Sequence, residues 1–425
     1  MFEWSETDLM VRDAVRGFID KEIRPQIDAL ESGEITPYPI IRKLFAEFGM
    51  DTMARESTEK ALARERAEAD GNAAGKATGK DDDDNASAAD SGGGGQDSMM
   101  AVVTSELSAV SLGLVTALGV SMGLGAGTIR SRGTLAQKER WLSGIASMEK
   151  IASWAITEPD SGSDAFGGMR TYVRRDGEDY ILNGQKTFIT NGPYADVIIV
   201  YAKLDEGGAA TDEDKRNRKV LTFVLDKGME GLTQGAPFKK MGLASSPTGE
   251  LFFNDVRLGR DRLLGESEEP RGGDGRESAR ASFAAERIGI ATMALGIINE
   301  CRRLCIDYAR ERTLWGQEIG RFQLIQLKLA KMEVARINVQ NMVFMSIERA
   351  RAGKPLSLAE ASAMKLYSSE TATEVAMEAV QLFGGNGYMA EYRVEQLARD
   401  AKSLMIYAGS NEIQVTHIAK GLLAH

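Results

Sequence analysis

The sequence predicts an α+β protein, mostly α: a helical N-terminal domain over residues 1–150, a central β-barrel or sheet domain over 151–262, and a C-terminal four-helix bundle over 276–425. Three observations carry this. Helical apolar patterning, with a 3.6-residue period, runs over residues 1–54, returns over 98–150 and again from about residue 277. Between the last two of these blocks, short runs rich in β-branched and aromatic residues are separated by Gly, Asn and Asp turn signals. A chain of 425 residues can also bury a large core, and two or three domains are expected at that length.

Composition narrows the function classes. Net charge is −10 with no basic block, so no nucleic-acid partner is expected. His417 and His425 are the only histidines. That leaves little from which to build a histidine metal site or a Ser-His-Asp triad, and no metal is expected. Cys301 and Cys305, four residues apart on a helical pattern, read as buried thiols in a reducing compartment. The acidic, amphipathic start MFEWSETDLM does not read as a signal peptide, and the expected location is cytoplasmic. Residues 107–129 carry no charge and are long enough to span a bilayer. Their Gly, Ser and Thr, without a basic or aromatic flank, fit a buried helix pair better, so no membrane span is expected.

Taken in order, Leu9, Val11, Ala14, Val15, Phe18 and Ile19 mark a first helix and residues 40–48 a second, separated by Pro37 and Pro39. Residues 55–97, approximately, turn low in complexity, with an acidic run and a Gly run, and are expected to be a flexible insertion. Helix resumes over 98–150 and ends in a Thr134 to Leu142 segment. Strands are expected at 151–156, 197–202, 220–225 and 251–256, with polar loops at 205–219 and 265–275. Asp176-Gly177 and Asn183-Gly184 are tight-turn dipeptides, which predicts two hairpins. Residues 277–312, 324–352 and 358–383 read as long helices of an antiparallel bundle.

Residues 152–192 carry the densest signal: ASWAITEPDSGSDAFGGMRTYVRRDGEDYILNGQKTFITNG. The turn from Glu158 to Asp164 has Pro, Gly and Ser but no core-forming residue, so its hydroxyls and amides can face a ligand. The turns alone would suit an ordinary β-meander. The whole string closely resembles the flavin-binding segment of the acyl-CoA dehydrogenase family. Three later stretches resemble other segments of the same family: Arg312-Thr313-Leu314-Trp315-Gly316-Gln317 with Phe322-Gln323, Gln381 to Tyr388, and Ile406 to Gln414. The resemblance covers the chain apart from the insertion.

That resemblance implies an FAD site formed by Trp154, Ile156, Thr157, Gly162, Ser163, Phe188 and Thr190. Phe188 stands where the family usually has Trp, and either ring offers the flavin a flat face. Arg312, Trp315, Gln323, Gln381, Gly384 and Gly385, together with Ser410 and Glu412, are implied to hold FAD as well. Arg312 and the Gly384-Gly385 segment would reach the FAD of a neighbouring subunit, which implies an obligate oligomer, a homotetramer built as a dimer of dimers. Taken alone, Arg312 could equally satisfy carbonyls at a helix end, and the glycine pair could be a simple helix stop. Ser163, Arg287 and Gly409 are implied to contact the acyl-CoA substrate.

One departure matters. Many family members have a catalytic Glu where this chain has Ala408. The Ala408 backbone N–H is still implied as a donor to the thioester oxygen. Glu286 lies on the apolar stripe of Phe283, Ile290, Met293 and Ile297, where a carboxylate is costly unless paired or functional. A salt bridge to Arg287 is the bland reading, but adjacent helix residues point about a hundred degrees apart. In the isovaleryl- and long-chain branches the base sits at this place, so the resemblance implies Glu286 as the base. The implied reaction is FAD-dependent α,β-dehydrogenation of an acyl-CoA to the trans-2-enoyl-CoA, with electrons passed to an electron-transfer flavoprotein. An oxidase or monooxygenase on the same fold is the alternative within enzymes. A non-catalytic flavoprotein subunit is the alternative outside them, and Ala408 motivates it.

Overall fold

A computed structural model describes residues 3–75, 96–207, 211–269 and 273–424 of the chain. The helices before the sheet are α1 (Glu6–Phe18), α2 (Ile27–Ser32), α3 (Tyr38–Glu47), α4 (Met50–Gly75), α5 (Gln96–Val110), α6 (Leu112–Gly119), α7 (Gly127–Arg132) and α8 (Leu135–Ala146). Ser5 and Thr134 open α1 and α8 with reciprocal capping boxes, which satisfy amides that have no partner within the helix. Val15, Phe18, Ile41, Leu44, Leu107 and Leu114 form one core of this region. Among the described residues, one continuous helical stretch, Leu112–Arg132, is long and apolar enough to cross a membrane, and most of it is buried against the rest of the protein.

The expected flexible insertion is corrected over its first part. Residues 55–75 belong to α4, and its far side, 76–95, lies outside the described residues. The reason is local. The segment ESTEKALARERAEAD is dense in Ala, Glu, Lys and Arg, all strong helix formers, and Arg64 pairs with Glu68 one turn on. Lys138 and Glu139 of α8 reach Glu65 and Arg66 and fasten α4 to the body of the protein.

The central sheet has seven strands: β1 (Ala152–Ala155), β2 (Tyr172–Asp176), β3 (Asp179–Thr190), β4 (Val197–Leu204), β5 (Val220–Asp226), β6 (Leu232–Gln234) and β7 (Thr248–Leu258). Their order is β1-β4-β2-β3-β7-β6, and β5 pairs with β4 off this path, along its other edge. β4 runs parallel to β1 and β2, and the other pairings are antiparallel. β4 is buried from end to end and reads as a mostly apolar run, as strands covered on both faces do, with Lys203 its one charged residue. The strand β6 and the short helix α9 (Asp212–Asn217), within the polar loop at 205–219, are additions to the sequence expectation.

Asp176-Gly177 turns the β2–β3 hairpin, but Asn183-Gly184 does not turn the chain. It lies inside β3, where the register against β7 shifts. Gly184 has φ +140°, and a Cβ there would sit 2.6 Å from the Thr171 hydroxyl. The glycine serves a close approach between neighbouring segments rather than a hairpin.

The C-terminal region comprises α10 (Gly275–Glu311), the small hairpin β8 (Thr313–Leu314) and β9 (Gln317–Glu318), α11 (Gln323–Arg351), α12 (Leu358–Phe383), α13 (Val394–Ser403) and α14 (Asn411–Leu423). α10 is its axis and packs on α11, on α12 and also on α5 from the first region. Ile290, Ala294, Ile297, Cys301, Val339 and Ala376 meet in the core between them. Cys301 and Cys305 are free, buried thiols whose pKa values burial raises.

Candidate active site

The end of β1 and the middle of β3 are locked by a buried ion pair. The Lys186 ammonium, fully buried, donates to the Ile156 carbonyl at 2.9 Å and to Glu158 Oε1 at 2.8 Å. Glu158 also accepts from the backbone N–H groups of Arg170 and Thr171. Burial lowers the Lys186 pKa to about 8 even with Glu158 beside it. Burial works to raise Glu158, but Lys186 and the two amides outweigh it and hold the carboxyl below the usual range. The pair anchors the start of the Glu158–Asp164 turn, leaving Gly162 and Ser163 at the surface. Thr157 and Thr187 are joined through the backbone, Thr187 N–H to Thr157 C=O at 2.9 Å. Trp154 meets Tyr201 edge-on and donates from Nε1 to its hydroxyl at 3.1 Å.

Beyond Lys186 the strand bulges. Phe188 has φ +57°, the register against β7 shifts between Lys186 and Ile189, and the Phe188 ring is 67% exposed. A non-glycine residue in the left-handed region costs energy and needs a reason. Here the bulge presents an aromatic face outward, within 5.8 Å of the Phe238 ring, with half-buried Thr190 two residues on. A flat exposed ring, flanking hydroxyls and the open Gly162 backbone suit a flavin, so these residues fit the FAD that the sequence implies.

A second wall comes from α10, α12 and the turn before α14. Ala408 and Gly409 both have positive φ, +58° and +80°. Their carbonyls are tied down: Gln414 Nε2 donates to Ala408 O at 3.1 Å and to Gly409 O at 2.7 Å, and Lys365 Nζ donates to Gly409 O at 2.9 Å. With the carbonyls taken, the turn is fixed and its amides are oriented by it. Ser410 stands at the N-cap position of α14 without a side-chain capping bond, and Glu412 lies exposed in the first turn.

Glu286 faces this wall from α10. The residue as a whole is partly exposed, but protein surrounds its carboxyl, and that burial raises its pKa to about 7 against the pull of Arg287 and Lys365. Among the described residues it makes no hydrogen bond or ion pair within bonding distance, so the bland reading of a Glu286–Arg287 salt bridge does not describe it. Arg287 turns away, donating from Nη1 to Ser362 Oγ at 2.9 Å and bonding His417 Nδ1 at 3.1 Å. Its Nη2 lies 3.7 Å from where a Gly409 Cβ would be. Tyr407 is half-buried; its hydroxyl lies 3.7 Å from the Met293 sulfur and within electrostatic reach of Glu286. The structure thus brings Glu286, Arg287, Ala408 and Gly409 together.

The remaining implied residues form a separate surface. Arg312 follows the end of α10, exposed and without a side-chain bond among the described residues. Trp315, with φ +48°, is 87% exposed at the tip of the β8–β9 hairpin. Gln323 opens α11, and Gln381, Gly384 and Gly385 lie exposed at the end of α12. Exposed Leu314, Leu324 and Leu327 lie on the same hairpin and helix. Sequence reasoning missed three polar members of the first two walls: Lys186 as an anchor, Lys365 and Tyr407. Lys365 had a readable signal, since it interrupts the small-residue stripe of Ala361, Ser368, Ser369 and Ala372 on α12.

Family models for the acyl-CoA dehydrogenase N-terminal, middle and C-terminal domains match residues 85–149, 153–256 and 273–423. The chain is 36% identical over 318 residues to a short-chain specific acyl-CoA dehydrogenase of Megasphaera elsdenii, covering 75% of this chain and 80% of the relative. It is 32% identical, over 99% of both chains, to CarC, a subunit of the caffeyl-CoA reductase–Etf complex of Acetobacterium woodii. The solved butyryl-CoA dehydrogenase of M. elsdenii superposes with a TM-score of 0.81 at 29% identity over 100% of each chain. A glutaryl-CoA dehydrogenase of Mycobacterium smegmatis in complex with FADH2 superposes at 0.78 and 25% identity, over 99% of this chain and 96% of that one.

Proposed function

Because the chain belongs to the acyl-CoA dehydrogenase family, a family of flavoprotein oxidoreductases, we propose that it is an FAD-dependent enzyme that converts an acyl-CoA thioester to the trans-2-enoyl-CoA. One observation carries the reading: Glu286, a carboxyl without a bonding partner among the described residues, sits beside a fixed left-handed turn, Ala408-Gly409, with its pKa raised by burial toward neutrality. A base is most effective when its pKa lies near the working pH.

In this reading Glu286 takes the α-proton. The electron pair left at Cα forms the second Cα–Cβ bond as the β C–H bond breaks. Bound FAD would supply the two-electron acceptor for the β-hydrogen, taken as hydride. The Ala408 N–H holds the thioester oxygen and stabilises the charge that gathers there. Phe188, Thr157, Thr190, Gly162 and Ser163 orient the flavin, and Ser163, Arg287 and Gly409 border the acyl-CoA. An electron-transfer flavoprotein is the acceptor of the two electrons; relatedness to CarC supports this, since that protein works in a complex with Etf. The exposed set of Arg312, Trp315, Gln323, Gln381, Gly384 and Gly385 serves the FAD of a second copy, within a homotetramer. Ala408 then requires no dead subunit, because the base stands on α10.

The test is anaerobic bleaching of the FAD-loaded protein by straight and branched acyl-CoAs. Glu286→Gln should retain FAD and acyl-CoA but bleach several orders of magnitude more slowly. Bleaching near the parental rate would remove Glu286 as the base. Rapid reoxidation of the reduced protein in air would favour an oxidase over a dehydrogenase.

A further inference from the structure

Lys365 has no part in the chemistry described so far, yet its placement is unusual. It is a lysine with a fully buried side chain in the middle of α12, surrounded by small residues. A buried ammonium is costly unless its donors are used. Two of its three are: Nζ donates to Gly409 O at 2.9 Å and to Asn411 Oδ1 at 2.8 Å. Asn411 is held in turn by Ser369 Oγ at 3.2 Å and, through its own backbone N–H, by Met405 O at 3.1 Å. One cation therefore joins α12 to both ends of the segment from Gly409 to Asn411, which continues directly from the positive-φ turn of Ala408 and Gly409.

The charges around it point the same way. Arg287 and Glu286 face Lys365 from α10, Glu370 from its own helix and Glu412 from α14. Glu286 feels the attraction of two buried cations, Arg287 and Lys365, and bonds to neither. Burial, then Arg287, lower the Lys365 pKa to about 8, so it remains mostly charged at neutral pH.

We propose that Lys365 is a positioning residue for proton abstraction: it fixes the Ala408-Gly409 turn through Gly409 and Asn411, and it sets a positive charge opposite the Glu286 carboxylate. This rests on the reading that Glu286 takes the α-proton. The two roles separate chemically. Glutamine at 365 keeps an N–H donor for the Gly409 carbonyl and drops the charge; methionine drops both.

The experiment uses the FAD-loaded oligomer and a 3-thiaacyl-CoA. Its α-proton can be removed, but its β-position is sulfur and has no hydride to give. The resulting anion against oxidised flavin gives a long-wavelength absorption band, so the pH midpoint of that band reports proton abstraction without turnover. In Lys365→Gln the midpoint should rise by about one pH unit, since loss of a nearby opposite charge disfavours the carboxylate, while ligand affinity stays within about threefold of the parent. Lys365→Met should show the same rise together with at least about tenfold weaker ligand binding, because the turn is no longer tied. FAD content and sedimentation, measured first, identify any variant that has failed to fold. A parental midpoint and affinity in both variants overturn the inference and leave the proposed reaction standing. A parent that gives no band with any 3-thiaacyl-CoA at any pH overturns the reaction, and the inference with it.

Discussion

A carboxyl buried at Glu286 has a pH signature. Burial makes the neutral form the favoured one up to about pH 7, so the fraction able to accept a proton falls tenfold per unit below that. The rate of substrate-driven flavin bleaching should therefore rise through pH 6 and level off above 8. A flat profile over that range would show that some other group takes the proton. Glu286 was legible in the sequence because it interrupts an apolar stripe, and a carboxylate there needs a reason. Arg287 beside it was legible only as a candidate ion-pair partner. Its actual ties, to Ser362 on α12 and His417 on α14, join residues 75 and 130 positions apart, which no periodicity within one helix encodes. Lys186 was missed for a similar reason: alternation along β3 says which face a side chain takes, not that Ile156 and Glu158 wait there to receive it.

Helices and strands were read well where one period dominated. The long helices α10, α11 and α12 fall within two residues of the sequence reading at either end, because their apolar period persists from end to end despite single polar interruptions, and Gly384 stops the last of them with φ +62°. The errors lie where one residue type serves two purposes. Asn-Gly promotes turns, but Gly184 is used for a close pass by Thr171; Ala-rich charge patterning looks like low complexity, but in α4 it makes a helix. A related close pass joins α5 to α10. A Cβ on Gly296 would lie 2.2 Å from the Ser105 carbonyl oxygen and 2.9 Å from the Ser108 Cβ. Neither backbone can yield without separating the helices. Gly296→Ala should cost about 3 kcal/mol by overpacking, although alanine is the better helix former. Denaturant unfolding measures it, and a variant as stable as the parent would show that the two helices have room to part.

At the scale of the molecule, the three regions meet in buried charge. Glu31 belongs to α2 in the first region, Lys240 and Ser245 lie between β6 and β7, and Arg393 and Asp400 belong to the last region. Ser245 donates to Glu31 at 3.3 Å, the Leu243 N–H donates to Asp400 at 2.6 Å, and Arg393 donates to the Val110 carbonyl at 2.5 Å. Burial, with Asp400 nearby, raises the Glu31 pKa to about 7. A carboxyl with a higher pKa folded than unfolded contributes stability at low pH, and loses it as pH climbs from the unfolded value through 7. Glu31→Gln, which is neutral throughout, should therefore melt higher than the parent at pH 8, and the gap should shrink toward pH 5.5. A gap that is constant with pH would mean that Glu31 is already ionised in the fold. The α5–α10 crossing has a consequence in time as well. Ser105 and Gly296 are 191 positions apart, so at about 5–20 residues per second a ribosome finishes α10 roughly ten to forty seconds after α5 has emerged. Throughout that interval the apolar surface of residues 98–132 lacks its permanent cover. Nascent chains halted before residue 275 should be cleaved there by protease and should hold chaperones, and chains halted beyond the end of α12 should do neither.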